Sequence, residues 1–321
     1  MPRSPYGFAL PLLLSLALAA PLSLTPAEAF AKPLKTAVHA PVKKAPVKKG
    51  KTKVKGKALA RPAFQPVHAY VLMDAHSGQV IDSSNADVVT YPASLTKMMT
   101  LLLTFEALDR GTLRLDQELP VSAHAVRQKP SRLNLAPGST IRVEDAILAL
   151  TVKSANDVAV VLAEALGGSE ARFAEMMTAK ARALGMTNTT FRNASGLPDR
   201  EQRTTARDMA KLSKAVVSLP ERHYANFGRS RFDWNGTTVA GHNRLLGKVE
   251  GYDGIKTGFV NASGFNLAGS ATRNGQRLIA VVLGGSTAAA RDRKVADLLE
   301  KGFKAEAVKQ TVAVTDDKTV R

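Results

Sequence analysis

Apolar residues along this chain alternate near both ends and recur at helical spacing in between. His68–Ala75 and Gln79–Ser84 read as two short strands around a Ser77-Gly78 turn. Pro92 and Ala93 lead into an apolar helix over residues 94–110, which Gly111 is placed to end. Ile141–Leu150 has helical spacing, Val152–Asn156 interrupts it, and Asp157–Leu166 resumes as a helix closed by Gly167-Gly168. Glu170–Leu184 and Thr205–Val217 are further amphipathic helices. Phe232–Trp234 and Thr237–Val239 flank Asn235-Gly236, the signature of a hairpin with a type I′ turn. Strands at Gly254–Val260, Gly264–Thr272 and Arg277–Leu283 precede a last helix from Ala288 to Phe303. This order predicts an α/β domain in which one antiparallel sheet is built from both ends and covered by a helical lobe. The pairs Met98-Met99 and Met176-Met177 fall at helical core positions and read as packing.

A length of 321 residues and a hydrophobic content of 45% suit a sizeable core, with roughly 70–75% of the unfolded surface buried. The absence of cysteine excludes a disulfide scaffold, a redox dithiol and a thiolate metal site. The formal charge of +18 is not spread evenly. Residues 30–62 carry ten Lys plus Arg61 and no acid, a block of +11; the first 29 residues are neutral, leaving +7 for residues 63–321. That block mixes Lys with Pro, Ala and Val, and predicts a disordered, extended linker. Its functional reading is a loose polycation resting on an anionic envelope polymer or lipid surface. Nucleic acid is a poor partner for it, because nothing aromatic interleaves with the lysines. Ahead of it, Arg3, the apolar run Phe8–Ala20 and Ala27-Glu28-Ala29 form the pattern of a secretory signal. The expected organisation is a signal peptide (1–29), the linker (30–62), a catalytic domain (63–305) and a short tail (306–321). Export to the periplasm or beyond, in soluble form, follows from it. With 18 residues after Phe303, neither a second β domain nor a membrane anchor is expected.

The candidate chemistry is that of a serine and lysines. Six histidines lack close ligand pairing, so no metal or other cofactor is implied, and no Gly-x-Ser-x-Gly elbow occurs. Ser94 and Lys97 form the chain's one Ser-x-x-Lys, and 19 Ser with 23 Lys make about one such match expected by chance. Its position at the head of an apolar helix adds weight: three-residue spacing puts both side chains on one helix face, and the helix dipole favours a neutral Lys97. A capping Ser94 with a solvated Lys97 is the plain alternative. Ser154 and Asn156 stand between two helices, a weak signal alone. Lys256-Thr257-Gly258 is stronger, since a lysine in an apolar strand needs a reason and a mid-strand glycine suggests a close backbone neighbour.

Taken together and in this order, the three motifs are those of penicillin-binding proteins and class A β-lactamases. The surrounding stretches YPASLTKMMT, SANDVAVVLAEALGG, ARALGMTNTTFRNASGL, HNRLL, DGIKTGF and RLIAVVLGG resemble the D-alanyl-D-alanine carboxypeptidases of the low-molecular-mass penicillin-binding class, over about residues 66–305. The resemblance implies a β-lactamase/transpeptidase-like fold. It also implies a serine peptidase that removes the terminal D-Ala from peptidoglycan stem pentapeptides and is inhibited covalently by β-lactams. Ser94 would then be the nucleophile, Lys97 its base and Ser154 a proton relay. Asn156 would bind a substrate amide, and Lys256 would help keep Lys97 neutral. Gly258 would admit the substrate as an added strand, and the Phe259 backbone N–H would join that of Ser94 on the oxyanion. Thr257 and Arg291 would hold the terminal carboxylate. A D,D-endopeptidase that cuts crosslinks with the same residues is the nearest alternative. No Glu-x-x-x-Asn segment lies between Asn156 and Lys256, which argues against β-lactamase activity as the main role.

Overall fold

A computed structural model describes residues 66–319, with side chains through Ala305. The expected signal peptide and the whole of the lysine-rich linker lie outside the described residues. Strands are β1 (Ala69–Asp74), β2 (Val80–Ser84), β3 (Glu118–Pro120), β4 (Thr140–Arg142), β5 (Arg231–Trp234), β6 (Thr237–Ala240), β7 (Tyr252–Val260), β8 (Gly264–Arg273) and β9 (Gln276–Gly285). Helices are α1 (Thr96–Asp109), α2 (Ala123–Val126), α3 (Val143–Leu148), α4 (Asn156–Gly167), α5 (Glu170–Ala183), α6 (Ala206–Val217), α7 (Glu221–Tyr224) and α8 (Ala288–Thr319).

The main sheet runs β2-β1-β9-β8-β7 with antiparallel neighbours throughout. β1 pairs with β9 from Ala69 opposite Leu283 to Asp74 opposite Leu278, so the two ends of the domain are stitched side by side. Alternation along these strands separates two cores. Val71, Met73, Ile279 and Val281 join the large core shared with α1, α4 and α6, while Leu72, Leu278, Ala280 and Val282 pack with Val295, Leu298 and Leu299 of α8. The sheet is thus covered on both faces, and β7 is left as an edge. Asn235 and Gly236 both have positive φ between β5 and β6, as a type I′ turn requires.

α1 runs through the middle of the lobe. Every residue from Thr96 to Phe105 is buried, so it has no polar face, and two of its three threonines find acceptors internally: Thr100 Oγ1 donates to Ala194 O at 2.8 Å and Thr104 Oγ1 to Thr100 O at 2.8 Å, while Thr96 Oγ1 has no partner among the described residues. Met98, Met99 and Met177 are fully buried, as packing predicts. Three local features differ from expectation. The helix expected over Ile141–Leu150 begins as β4, continues as α3 and ends in a π-turn at Ala149–Lys153. The three-residue β3–β4 ribbon joins segments some twenty residues apart, too short to show as alternation. The last helix continues to Thr319, through most of what was expected as a tail.

Asn266, fully buried on β8, fastens the sheet to the segment that enters α1. Its Nδ2 donates to Tyr91 O, Pro92 O and Ser263 Oγ at 3.2, 3.4 and 3.0 Å, and its Oδ1 accepts from Gly284 N at 3.0 Å. Replacing Asn266 with Ala strands buried backbone groups on two elements and is expected to cost about 2–4 kcal/mol. Thermal denaturation of the variant, with a correspondingly lower midpoint, checks this.

Candidate active site

Ser94 lies in a single 3-10 turn, Ala93–Leu95, that precedes α1. Ala93 adopts φ +50°, an unfavourable value for a residue with a Cβ. The turn is held from both sides. A Cβ on Gly196 would come 1.9 Å from Ala93 O, and one on Gly258 would come 3.0 Å from Ser94 N. Gly196 also has φ +85°, so glycine is required there on two counts. Ser94 makes no capping hydrogen bond and remains half-buried, facing a cleft of about 370 Å³.

Lys97, one turn further on, is fully buried. Its Nζ lies 2.7 Å from Asn156 Oδ1, 2.5 Å from Ser195 O and 3.2 Å from Ser94 Oγ. The first two atoms can only accept. A neutral amine has two hydrogens for them and one lone pair, which falls to the Ser94 hydroxyl. Burial first, and then the Lys256 charge, push the Lys97 amine well below its ordinary range, against an opposing pull from Asp157. The hydrogen bonds and the electrostatics therefore favour the same state, a free base directed at Ser94.

The opposite wall begins where the π-turn ends. Ser154 has φ +61° and ψ +38°, a left-handed conformation that is costly outside glycine, and its Oγ is buried without a partner among the described residues. π-turns of this kind recur at functional sites. Asn156 Nδ2 donates to Lys129 O at 2.8 Å while Oδ1 serves Lys97. The amide expected to bind substrate thus holds the base as well, with one Nδ2 hydrogen left over. Asp157 gathers the neighbouring loop: Oδ1 accepts from Leu133 N at 3.0 Å, and Oδ2 from Asn134 N at 2.9 Å and Leu135 N at 3.4 Å. Ser131 Oγ donates to Lys153 O at 3.0 Å and completes this rim.

The third wall is β7. Lys256 is buried to 2% exposure, with Nζ 3.0 Å from Thr257 O. Desolvation, followed by repulsion from Arg291, pushes its amine down to about 7. Thr257, Gly258 and Phe259 line the cleft beside Ser94, Ser154, Asn156 and Arg291. The Phe259 ring is 49% exposed and lies 4.4 Å from that of Phe265. Gly258 is needed for the approach of the Ser94 turn, a use of the glycine distinct from the expected admission of substrate. Arg291 is 4% exposed; its Nε donates to Asp292 Oδ1 at 2.8 Å and its Nη1 to Asn266 O at 2.6 Å. The arginine expected to hold a carboxylate lines the cleft but is thus largely engaged by the protein, with Nη2 as the one guanidinium nitrogen not in these bonds.

The comparisons agree with this geometry. The family model for D-alanyl-D-alanine carboxypeptidase matches residues 57–287. The chain belongs to the D-alanyl-D-alanine carboxypeptidase family. It is 34% identical over 256 residues to the carboxypeptidase DacF of Bacillus subtilis, covering 77% of this chain and 64% of that protein. It is 37% identical over 243 residues to DacC of Escherichia coli, covering 74% and 61%. The chain therefore spans less than two thirds of the length of these relatives. Among solved structures, DacD of Francisella tularensis superposes with a TM-score of 0.71 at 31% identity, over 75% of this chain and 71% of that one. Penicillin-binding protein D2 of Listeria monocytogenes, solved with ampicillin bound, gives a TM-score of 0.64 at 34% identity, over 73% and 96%. The β-lactamase/transpeptidase-like fold of the family is the fold of this chain.

All nine residues singled out from the sequence gather around this family's cleft. The sequence reading named no role for Ser195, Asp157, Ser131, His242 or Arg244. Ser195, Asp157, His242 and Arg244 sit inside the quoted stretches ending FRNASGL, beginning SAND and reading HNRLL, so the signal was their place in or beside a motif rather than their chemistry.

Lys256 makes the pH dependence of stability testable. Below about 7 the folded and unfolded chains both hold its proton, and folding must desolvate a charge. Between about 7 and the ordinary 10.5 the unfolded chain keeps a proton that the folded one has released, so stability climbs with pH across that window. Lys256→Met is expected to be more stable than the parent at pH 7, with the difference shrinking toward pH 10.5. Urea unfolding of both proteins at several pH values measures it.

Proposed function

We propose that this chain is a serine-type D-alanyl-D-alanine carboxypeptidase that removes the terminal D-Ala from peptidoglycan stem pentapeptides and is acylated by penicillin. The observation that carries the reading is the Lys97 amine, whose two hydrogens have fixed acceptors and whose lone pair meets the Ser94 hydroxyl at 3.2 Å. Ser94 Oγ attacks the carbonyl of the penultimate D-Ala as Lys97 takes its proton. The Ser94 and Phe259 backbone N–H groups receive the oxyanion. Collapse of the tetrahedral intermediate breaks the peptide bond, and Ser154 passes a proton from the lysine side to the departing D-Ala nitrogen. Water then attacks the acyl ester with Lys97 again as base, releasing the shortened stem and restoring the Ser94 hydroxyl.

The substrate backbone lies along β7, whose outer edge is unpaired within the sheet. Asn156 keeps Lys97 in place and presents its remaining Nδ2 hydrogen to a substrate amide. Lys256 and Arg291 make the floor of the cleft positive, and Thr257 contributes a hydroxyl at its side, which suits the free carboxylate of the terminal D-Ala. Residues 1–29 would deliver the protein across the cytoplasmic membrane, and no helix among the described residues is long and apolar enough to cross one. The lysine-rich arm, on its charge alone, would rest on anionic envelope polymers.

Mass-resolved digestion of purified muropeptides tests the reading, with Ser94→Ala as control. Loss of one D-Ala from pentapeptide monomers with crosslinked dimers intact is the expected result. Conversion of dimers to monomers would make it an endopeptidase instead, and no change in either would overturn the catalytic reading. Lys97→Arg replaces the neutral amine with a permanent cation and so removes the base; its rate of acylation by benzylpenicillin, read by intact mass, is expected to fall about 100- to 10,000-fold.

A further inference from the structure

At the far end of β7 from Lys256 the cleft opens into a second hollow. It holds about 170 Å³ and shares Gly196, Leu197 and Val260 with the main cleft, so the two spaces are continuous. Pro198 and Ala262 extend its apolar wall, and Asp199 and Arg200 add one charge of each sign. Both are exposed, and among the described residues neither is in an ion pair. Asp199 Oδ1 accepts from Glu201 N at 2.8 Å, while the Glu201 carboxylate itself is taken by Arg192 at 2.7 Å.

The wall of this hollow is braced in advance. Gln202, buried to 1% exposure, accepts from Arg192 N at 3.1 Å and Asn193 N at 3.4 Å, and its Nε2 donates to Leu197 O at 3.1 Å. Asn193 Nδ2 donates to the same carbonyl at 3.0 Å, and its Oδ1 accepts from Gly196 N at 2.8 Å. These bonds tie the two arms of the 192–202 loop together, and the same loop carries Ser195 O, an acceptor for Lys97. A hollow with such a wall is preformed, as ligand sites usually are.

The polarity of β7 puts the hollow on the path of the substrate. With the terminal carboxylate at Thr257 and the reacting carbonyl at Ser94, beside Gly258, the peptide runs antiparallel to β7. Its upstream residues then pass Phe259 and Val260. At about 3.4 Å per residue, the residue before the two D-Ala comes level with Val260, where the hollow opens. In a stem peptide that residue is a diamino acid whose side chain ends in an amine. A bare amine would meet Asp199 together with the repulsion of Arg200, whereas an end carrying an ammonium and a carboxylate pairs with both. We propose that this hollow receives the side chain of the third stem residue and selects a zwitterionic end, that of a diaminodicarboxylic acid. Asp199 meets its ammonium and Arg200 its carboxylate. Acylation of that amine, as in a crosslink, removes the charge that Asp199 meets, so the same contact favours uncrosslinked stems. The inference rests on the carboxypeptidase reading of the cleft.

The test follows D-Ala release by the full mature protein from pentapeptides L-Ala-γ-D-Glu-X-D-Ala-D-Ala, where X is meso-diaminopimelate, L-lysine or norleucine. The parent, Asp199→Asn and Arg200→Gln are compared by kcat/KM. The parent is expected to favour the diaminopimelate peptide over the norleucine peptide about 10- to 100-fold, as charge-assisted contacts imply. Asp199→Asn should lose about 10-fold on the diaminopimelate peptide and stay within about threefold of the parent on the norleucine peptide. Arg200→Gln should lose on the diaminopimelate peptide without losing on the lysine peptide. A parent that treats diaminopimelate and norleucine within about threefold of each other would overturn the proposal. Equal losses on every peptide would overturn it too, since they would mean general damage to the loop. A parent preference for lysine over diaminopimelate would overturn the zwitterionic assignment. Absence of D-Ala release from all three peptides would instead overturn the carboxypeptidase reading and this inference with it.

Discussion

Two lysine amines are buried in one cleft with no carboxylate bonded to either, and the rest of the site is arranged around that constraint. A buried ammonium without a counter-ion is costly, and two of them near each other are costlier still. The protein accommodates them by favouring the uncharged form of Lys97 and supplying acceptors that a neutral amine saturates. Asp157 is the nearby acid, yet both of its oxygens are occupied by backbone N–H groups of the 133–135 loop. It moderates the field while remaining part of the wall. The neutral form of the Lys97 amine is therefore a property of packing as much as of residue type.

The same economy governs the backbone. Ala93 and Ser154 both have positive φ, one directly before the serine and one at the far wall. Each is held by its surroundings: Ala93 between Pro92, Gly196 and Gly258, and Ser154 between the π-turn and the start of α4. Gly196 and Gly258 are small because another main chain occupies the space where their side chains would be. Local strain of this kind persists only where packing over-determines it.

The sheet strands and the principal helices were legible in the sequence because each has a period or a residue type with a strong physical preference, whereas the three motifs were legible through their order along the chain and the resemblance of the stretches around them. Asn235-Gly236 is the clearest case, where the dipeptide specified the turn type. Lys256 was legible as an anomaly, an amine inside an apolar strand. What was not legible depended on contacts between distant segments. Nothing local marks the Ser195 carbonyl as an acceptor for Lys97, since any residue offers that oxygen. Arg291 carried the right chemistry, but its engagement by Asp292 and Asn266 shows only when α8 and β8 are placed together. The π-turn before Ser154 showed in the sequence only as an interruption of helical spacing at Val152–Asn156, because one inserted residue shifts that spacing too little to reveal the kind of turn.

The pairing of β1 with β9 has a consequence for how the protein is made. Those partners lie some two hundred residues apart, and β9 is also the strand that joins the N-terminal hairpin to β8 and β7. Such non-local closure is slow to form and comes only after the intervening chain is available. Ser94 and Lys97 are synthesised early, whereas Lys256 and Gly258, which complete their surroundings, arrive near the end. A partly made chain therefore holds Ser94 and Lys97 without the cleft that surrounds them in the complete domain. The fold thus delays assembly of this cleft until the whole domain has been synthesised.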